Sequence, residues 1–123
     1  MPTIVHFEIP TDDLERAKKF YTGLFEWKME KAPGPFEYWM ISTTDENGNK
    51  ATGGGMVKRQ DPQQRIGNYI GVQSIEEYTS KIEKLGGKIL VPKMAVPGNG
   101  YMAVCMDTEG NTFSLWKADA SAK

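Results

Sequence analysis

The sequence predicts an α+β fold made of two βαβββ modules related by a pseudo-twofold. Three observations carry this. Residues 3–9 alternate in type as a half-covered strand does and lead straight into a capped amphipathic helix. After a polar, proline-containing linker at 59–65 the same order begins again. Two similar turns, DENGN from Asp45 and DTEGN from Asp107, stand 62 residues apart. Two copies are too few for a solenoid, so a packed pair is expected. A half of about 60 residues buries only roughly 60% of its unfolded surface, so the halves are read as one domain, 1–123. Within it, module 1 takes 1–58, module 2 takes 66–117 and the tail 118–123.

In the first strand Val5, Phe7 and Ile9 point to one side and Ile4, His6 and Glu8 to the other. Thr11 and Asp12 suit an N-cap, with Glu15 three residues after Asp12, and Leu14, Ala17, Phe20, Tyr21, Leu24 and Phe25 recur at helical spacing. Such a helix covers the Val5, Phe7 and Ile9 side and leaves His6 and Glu8 on the other. Residues 27–31 read as a strand, 32–36 as a Pro/Gly loop and 37–44 as a second strand rich in aromatic and β-branched types. The turn after Asp45 leads into a strand over 51–58, whose glycines Gly53, Gly54 and Gly55 predict a bulge or a close approach by a ligand or another backbone.

In the second module, residues 67–72 form a strand, and Ser74 with Glu77 makes a capping box. Ile75, Tyr78, Ile82 and Leu85 carry the apolar stripe, which Gly86 ends. Strands follow over 88–91, 101–106 and 112–117, with a loop at 97–100 and a frayed polar tail.

With 15 basic and 16 acidic residues the net charge is −1, which leaves no electrostatic footprint for nucleic acid or an anionic membrane. One cysteine, Cys105, in the apolar run YMAVCM, forms no internal disulfide and reads as a buried inert thiol in a reducing compartment. With no leader pattern and no long apolar run, a soluble cytoplasmic protein is expected.

The segment HFEIPTDDLERAKKFYTGLFEW, the LGGKIL after the second helix and the closing YMAVCMDTEGNTFSLW resemble the vicinal oxygen chelate superfamily, which includes glyoxalase I, ring-cleaving dioxygenases and bleomycin-resistance proteins. His6, Asp13-Leu14 and Phe20-Tyr21 match the spacing of glyoxalase I-like members. More narrowly, the chain is similar to the small proteins related to lactoylglutathione lyase. The resemblance implies curved sheets around a cleft with the helices outside, and a homodimer. It also implies a metal held by residues of the first and last strands of each module. Carried over by position, those residues are His6, Asn68, Ser114 and Thr52 or a residue within 53–56. Only His6 is a strong ligand type, so no metal ligands and no cofactor are assigned, while a divalent metal stays open because Glu8 on the same face would add a carboxylate.

Two functions from different classes follow. In the first, a glyoxalase-like enzyme of lyase or isomerase type acts on a small oxygen-rich or thiol-conjugated metabolite with His6 and Glu8 as its proton-transfer or residual metal-binding groups, a pair that reads equally as a hydrogen-bonded tie between the first strand and a neighbour. In the second, the protein is a non-enzymatic binder of a small aromatic compound, as drug-resistance members are. Candidate ligand contacts are Asn68, Ser114 and Trp116, and also Trp39 and Tyr101, which correspond under the offset and read equally as cleft wall or core. An N-terminal Pro2 would suit a tautomerase, but the repeat and the closing hairpin argue against it.

Overall fold

The computed structural model describes residues 2–123. In chain order the elements are β1 (Ile4–Thr11), α1 (Leu14–Leu24), β2 (Lys28–Lys31), β3 (Tyr38–Ser42), β4 (Gly53–Lys58), β5 (Gly67–Gly71), α2 (Ile75–Lys84), β6 (Lys88–Val96), β7 (Gly100–Met106) and β8 (Thr112–Ala118). This is βαβββ twice, as the sequence predicts. Two compact units result. One is His6–Ile66; the other is Gly67–Lys123 together with the opening residues through Val5.

In the His6–Ile66 unit the strand order is β2-β3-β4-β1, with β1 and β4 parallel and the other pairs antiparallel. His6 stands opposite Gly53, Phe7 opposite Gly54 and Glu8 opposite Gly55. Paired residues share a face, so Phe7, Ile9, Met56, Ile41, Met29 and Trp39 form one side. That side packs against Leu14, Ala17 and Tyr21 of α1 around the buried Ile9, Ile41 and Met56. Tyr21 stacks on Trp27 with the rings 5.2 Å apart and 2° from parallel. Phe20, Leu24 and Phe25, expected in the apolar stripe, are exposed, because the sheet takes only the narrower row of Leu14, Ala17 and Tyr21.

The helix starts one residue later than the spacing suggests. Asp13 is the N-cap and its carboxylate accepts from the Arg16 N–H at 3.0 Å. Thr11 ends the strand, buried, with its hydroxyl donating to the Val57 carbonyl at 3.0 Å. Asp12 turns outward and pairs with Arg59 at 3.0 Å.

The second unit repeats the plan as β5-β8-β7-β6, with β5 and β8 parallel. Val72, Ile75, Ala103, Cys105 and Leu115 are its core, joined by Ile70, Tyr78, Ile82, Ile89, Tyr101 and Phe113. Ser74 caps α2 through the Glu77 N–H at 3.2 Å, and Gly86 leaves it at φ +94°. Leu85 sits at the cap and is exposed rather than part of the stripe. Burial pushes the Cys105 thiol up, as suits an inert core cysteine. The tail is not frayed. Ala122 is buried, its carbonyl accepts from the Gly98 N–H at 2.9 Å, and the Asp119 N–H donates to the Asn99 carbonyl at 2.8 Å. The opening residues fit here too, since the Gly71 N–H donates to the Thr3 carbonyl at 2.9 Å.

Both turns are built alike. Asp45 accepts from the N–H groups of Asn47 and Asn49, each at 2.9 Å. Asp107 accepts from Glu109 and Asn111 at 2.8 and 2.9 Å. Gly48 and Gly110 take φ values of +82° and +84°.

Candidate functional site

The side of the His6–Ile66 sheet away from α1 carries His6 and Glu8 on β1, Gly53, Gly55 and Val57 on β4, and Tyr38 and Met40 on β3. Its defining feature is Tyr38. The phenol leaves β3 opposite Val57 and runs diagonally over Gly55, ending 2.7 Å from Nε2 of His6. The two rings lie 12° from parallel. The glycines make this possible. A Cβ on Gly55 would sit 1.9 Å from the Tyr38 oxygen, and one on Gly54, on the opposite side, 2.6 Å from the Phe7 ring. The close approach predicted for the triplet is therefore made by two aromatic side chains of the same unit, one on each face.

His6 is partly buried and its pKa is lowered by desolvation. Near neutral pH it is an uncharged imidazole with one donor and one acceptor nitrogen. Beside it on the strand, Glu8 supplies a carboxylate on the same face. Sequence reasoning missed Tyr38, whose signal is a tyrosine two residues away in register from a glycine on the next strand.

In the second unit, Ser114 lies opposite Tyr69 and Trp116 opposite Gly71, on the side away from α2. Met102 and Val104 share that face through their pairing with Trp116 and Ser114. The Trp116 indole rests over Gly100, where a Cβ would lie 2.8 Å from the ring.

Asn68, Trp39 and Tyr101 are placed on the other faces. Asn68 alternates with Tyr69 and so falls on the same side as Ile70, which packs under α2, and Tyr101 belongs to that helix-covered core. Trp39 packs on the α1 side, with the Lys18 ammonium 3.9 Å from its ring centre, just as Lys93 stands 4.5 Å from Tyr101. The cause for Asn68 is register. The two N-caps, Asp13 and Ser74, differ by 61 rather than 62, so His6 corresponds to Gly67 and Glu8 to Tyr69.

The same register tests the metal implied by the resemblance. Thr52 lies before β4, with its carbonyl bound to the Thr43 hydroxyl at 2.7 Å. The β4 positions facing His6 and Glu8 are glycines, without side-chain donor atoms, and the Tyr38 ring fills the space above one of them. Among the described residues no three His, Cys, Asp or Glu side chains gather. An imidazole and one carboxylate do not make a divalent-metal site.

Comparison with known proteins agrees with this architecture. A family model described as bleomycin resistance protein-like N-terminal matches residues 3–44. A glyoxylase-like domain-containing protein of Didymella fabae is 31% identical over 112 residues, covering 88% of each chain. The chain belongs to the glyoxalase-like family. A protein of Mycobacterium bovis provisionally named a glyoxylase is 29% identical over 91% of this glyoxalase-like chain, which spans only 44% of that relative's length. The methylmalonyl-CoA epimerase of Streptomyces coelicolor shares the fold at a TM-score of 0.71 and 13% identity, covering 98% and 97% of the two chains. A glyoxalase/bleomycin resistance protein/dioxygenase superfamily member from Vibrio splendidus does so at 0.70 and 10%, covering 97% and 100%. The superfamily membership read from the His6 and DTEGN segments is thus confirmed.

Proposed function

We propose that this glyoxalase-like protein is a small-molecule enzyme that moves a proton on a carbon next to a carbonyl group, in a small oxygen-rich or thiol-conjugated metabolite. Glu8 is the base and His6 the neutral acid–base partner. The observation that carries this reading is the 2.7 Å bond between His6 and Tyr38 on the face that also holds Glu8. A desolvated, uncharged imidazole bonded to a phenol beside a carboxylate places proton donors and a base on one face. The epimerase among its structural neighbours supports a chemistry of this kind on this fold.

The test is solvent-deuterium exchange at carbon, followed by proton NMR in buffer containing EDTA. The probes are a thiol hemithioacetal, a 2-oxo acid and an α-branched thioester. Exchange with at least one probe should fall about 10²- to 10⁴-fold in Glu8→Gln while that probe still binds. Exchange no faster than in buffer with every probe, or unchanged in both Glu8→Gln and His6→Gln, overturns the reading.

The bleomycin-resistance match and the Met102, Val104 and Trp116 face favour a second reading, a binder of a small aromatic compound. Binding without turnover by the wild type would identify it. A homodimer is part of the proposal, supported by the exposed Phe20, Leu24, Phe25 and Phe36; light scattering checks it. The buried Cys105 is consistent with a cytoplasmic setting.

A further inference from the structure

The donor set around His6 does not fit a metal, yet proton abstraction beside a carbonyl needs something to meet the charge that develops on oxygen. We propose that the Tyr38 hydroxyl is that group: the Nε2–H of His6 donates to the phenolic oxygen, and the phenol O–H donates to the carbonyl oxygen of the substrate. This deepens the proton-transfer reading and rests on it for its substrate, a carbonyl compound with a proton on the adjacent carbon.

The geometry supports it in three ways. Tyr38 reaches His6 only because Gly55 has no side chain, so the phenol is seated in a slot the strand keeps open. The phenol ring lies 12° from parallel to the imidazole, so the two rings are held as a pair. The oxygen stands 2.7 Å from Nε2, and Glu8 is in register with Gly55 beneath the ring. In the step, the Glu8 carboxylate takes the proton from the carbon and the C–H electron pair forms the carbon–carbon double bond. The carbonyl π pair moves to oxygen, where the Tyr38 O–H meets it. Return of the proton from Glu8 to carbon restores the carbonyl, so the sequence balances with no oxidant, reductant or cofactor.

Two measurements decide it without requiring turnover. His6 is the only histidine in the chain, so long-range proton–nitrogen NMR of labelled wild type near pH 8 reports its tautomer unambiguously; the Nε2–H form is expected. Binding of 4-nitrophenolate, a stable oxyanion with a visible spectrum, should weaken about ten- to hundredfold in Tyr38→Phe, which removes one oxygen and keeps the ring. An Nδ1–H tautomer, or equal phenolate affinity in the two proteins, overturns the assignment. Loss of carbon exchange with every probe while the phenolate preference persists strikes the enzyme reading alone and leaves Tyr38 as the oxyanion-meeting group.

Discussion

Tyr38 and Gly55 occupy one place: a methyl group added to Gly55 would lie 1.9 Å from the phenolic oxygen and 2.1 Å from the ring carbon that bears it. A tyrosine two residues along the neighbouring strand thereby reaches a histidine one strand further on.

Gly55→Ala is therefore expected to expel the phenol and break its bond to His6. The loss should be about 1–3 kcal/mol, the usual cost of overpacking. Urea titration gives the stability, and the His6 nitrogen shifts should move with it.

Gly54→Ala should be worse than Gly55→Ala. Its Cβ would meet the Phe7 carbonyl at 2.5 Å as well as the Phe7 ring, and backbone does not swing aside. Gly23 is the contrast, being in α1 with nothing within 4 Å of an added Cβ. Gly23→Ala should stabilise by about 0.5–1 kcal/mol, and thermal melts of the three variants should order them accordingly.

The cap register is open to the same treatment. Asp13→Ala and Ser74→Ala should each cost about 1 kcal/mol. Asp12→Ala removes an exposed pair to Arg59 and should cost less. Equal losses for Asp12→Ala and Asp13→Ala in denaturant would contradict the Asp13 cap.

Stability should also depend on pH through His6. Its folded pKa lies below the ordinary 6.5 because burial disfavours the imidazolium. The unfolded state then binds the proton first, so this contribution is complete above about pH 6.5 and declines as pH falls toward the depressed folded value. Urea midpoints should rise from pH 5 and level off above about pH 6.5, and His6→Gln should flatten that rise.

Most of the architecture was legible because it is written in local chemistry. The Asp45 and Asp107 turns, the Ser74 cap and the strand–helix alternation each have a short-range physical cause, and together they disclosed the repeat. The errors came where short-range rules are degenerate. Thr11, Asp12 and Asp13 are all competent caps, so the cap spacing gives no check on the 62-residue offset set by the Asp45 and Asp107 turns, and at the caps the offset is 61. One residue in a strand is a change of face, so Asn68, which the 62-residue offset places beside Ser114 in the cleft, lies with Ile70 on the helix-covered side instead. Tyr38 was illegible for another reason. Its contact with His6 spans 32 residues and depends on the absence of a side chain at Gly55, so no pattern around Tyr38 itself announces it.

The first turn also bears on how the protein ages. Asn47-Gly48 is the kind of dipeptide that loses ammonia when the glycine nitrogen attacks the asparagine amide carbon, and the second turn has Glu109-Gly110 in its place. In the fold, the Gly48 N–H is committed to the Asp45 carbonyl at 3.0 Å, which engages the proton that the nitrogen must lose to attack. The turn should therefore slow its own deamidation, and mass spectra of folded and urea-unfolded protein stored side by side would show the half-lives diverge at Asn47.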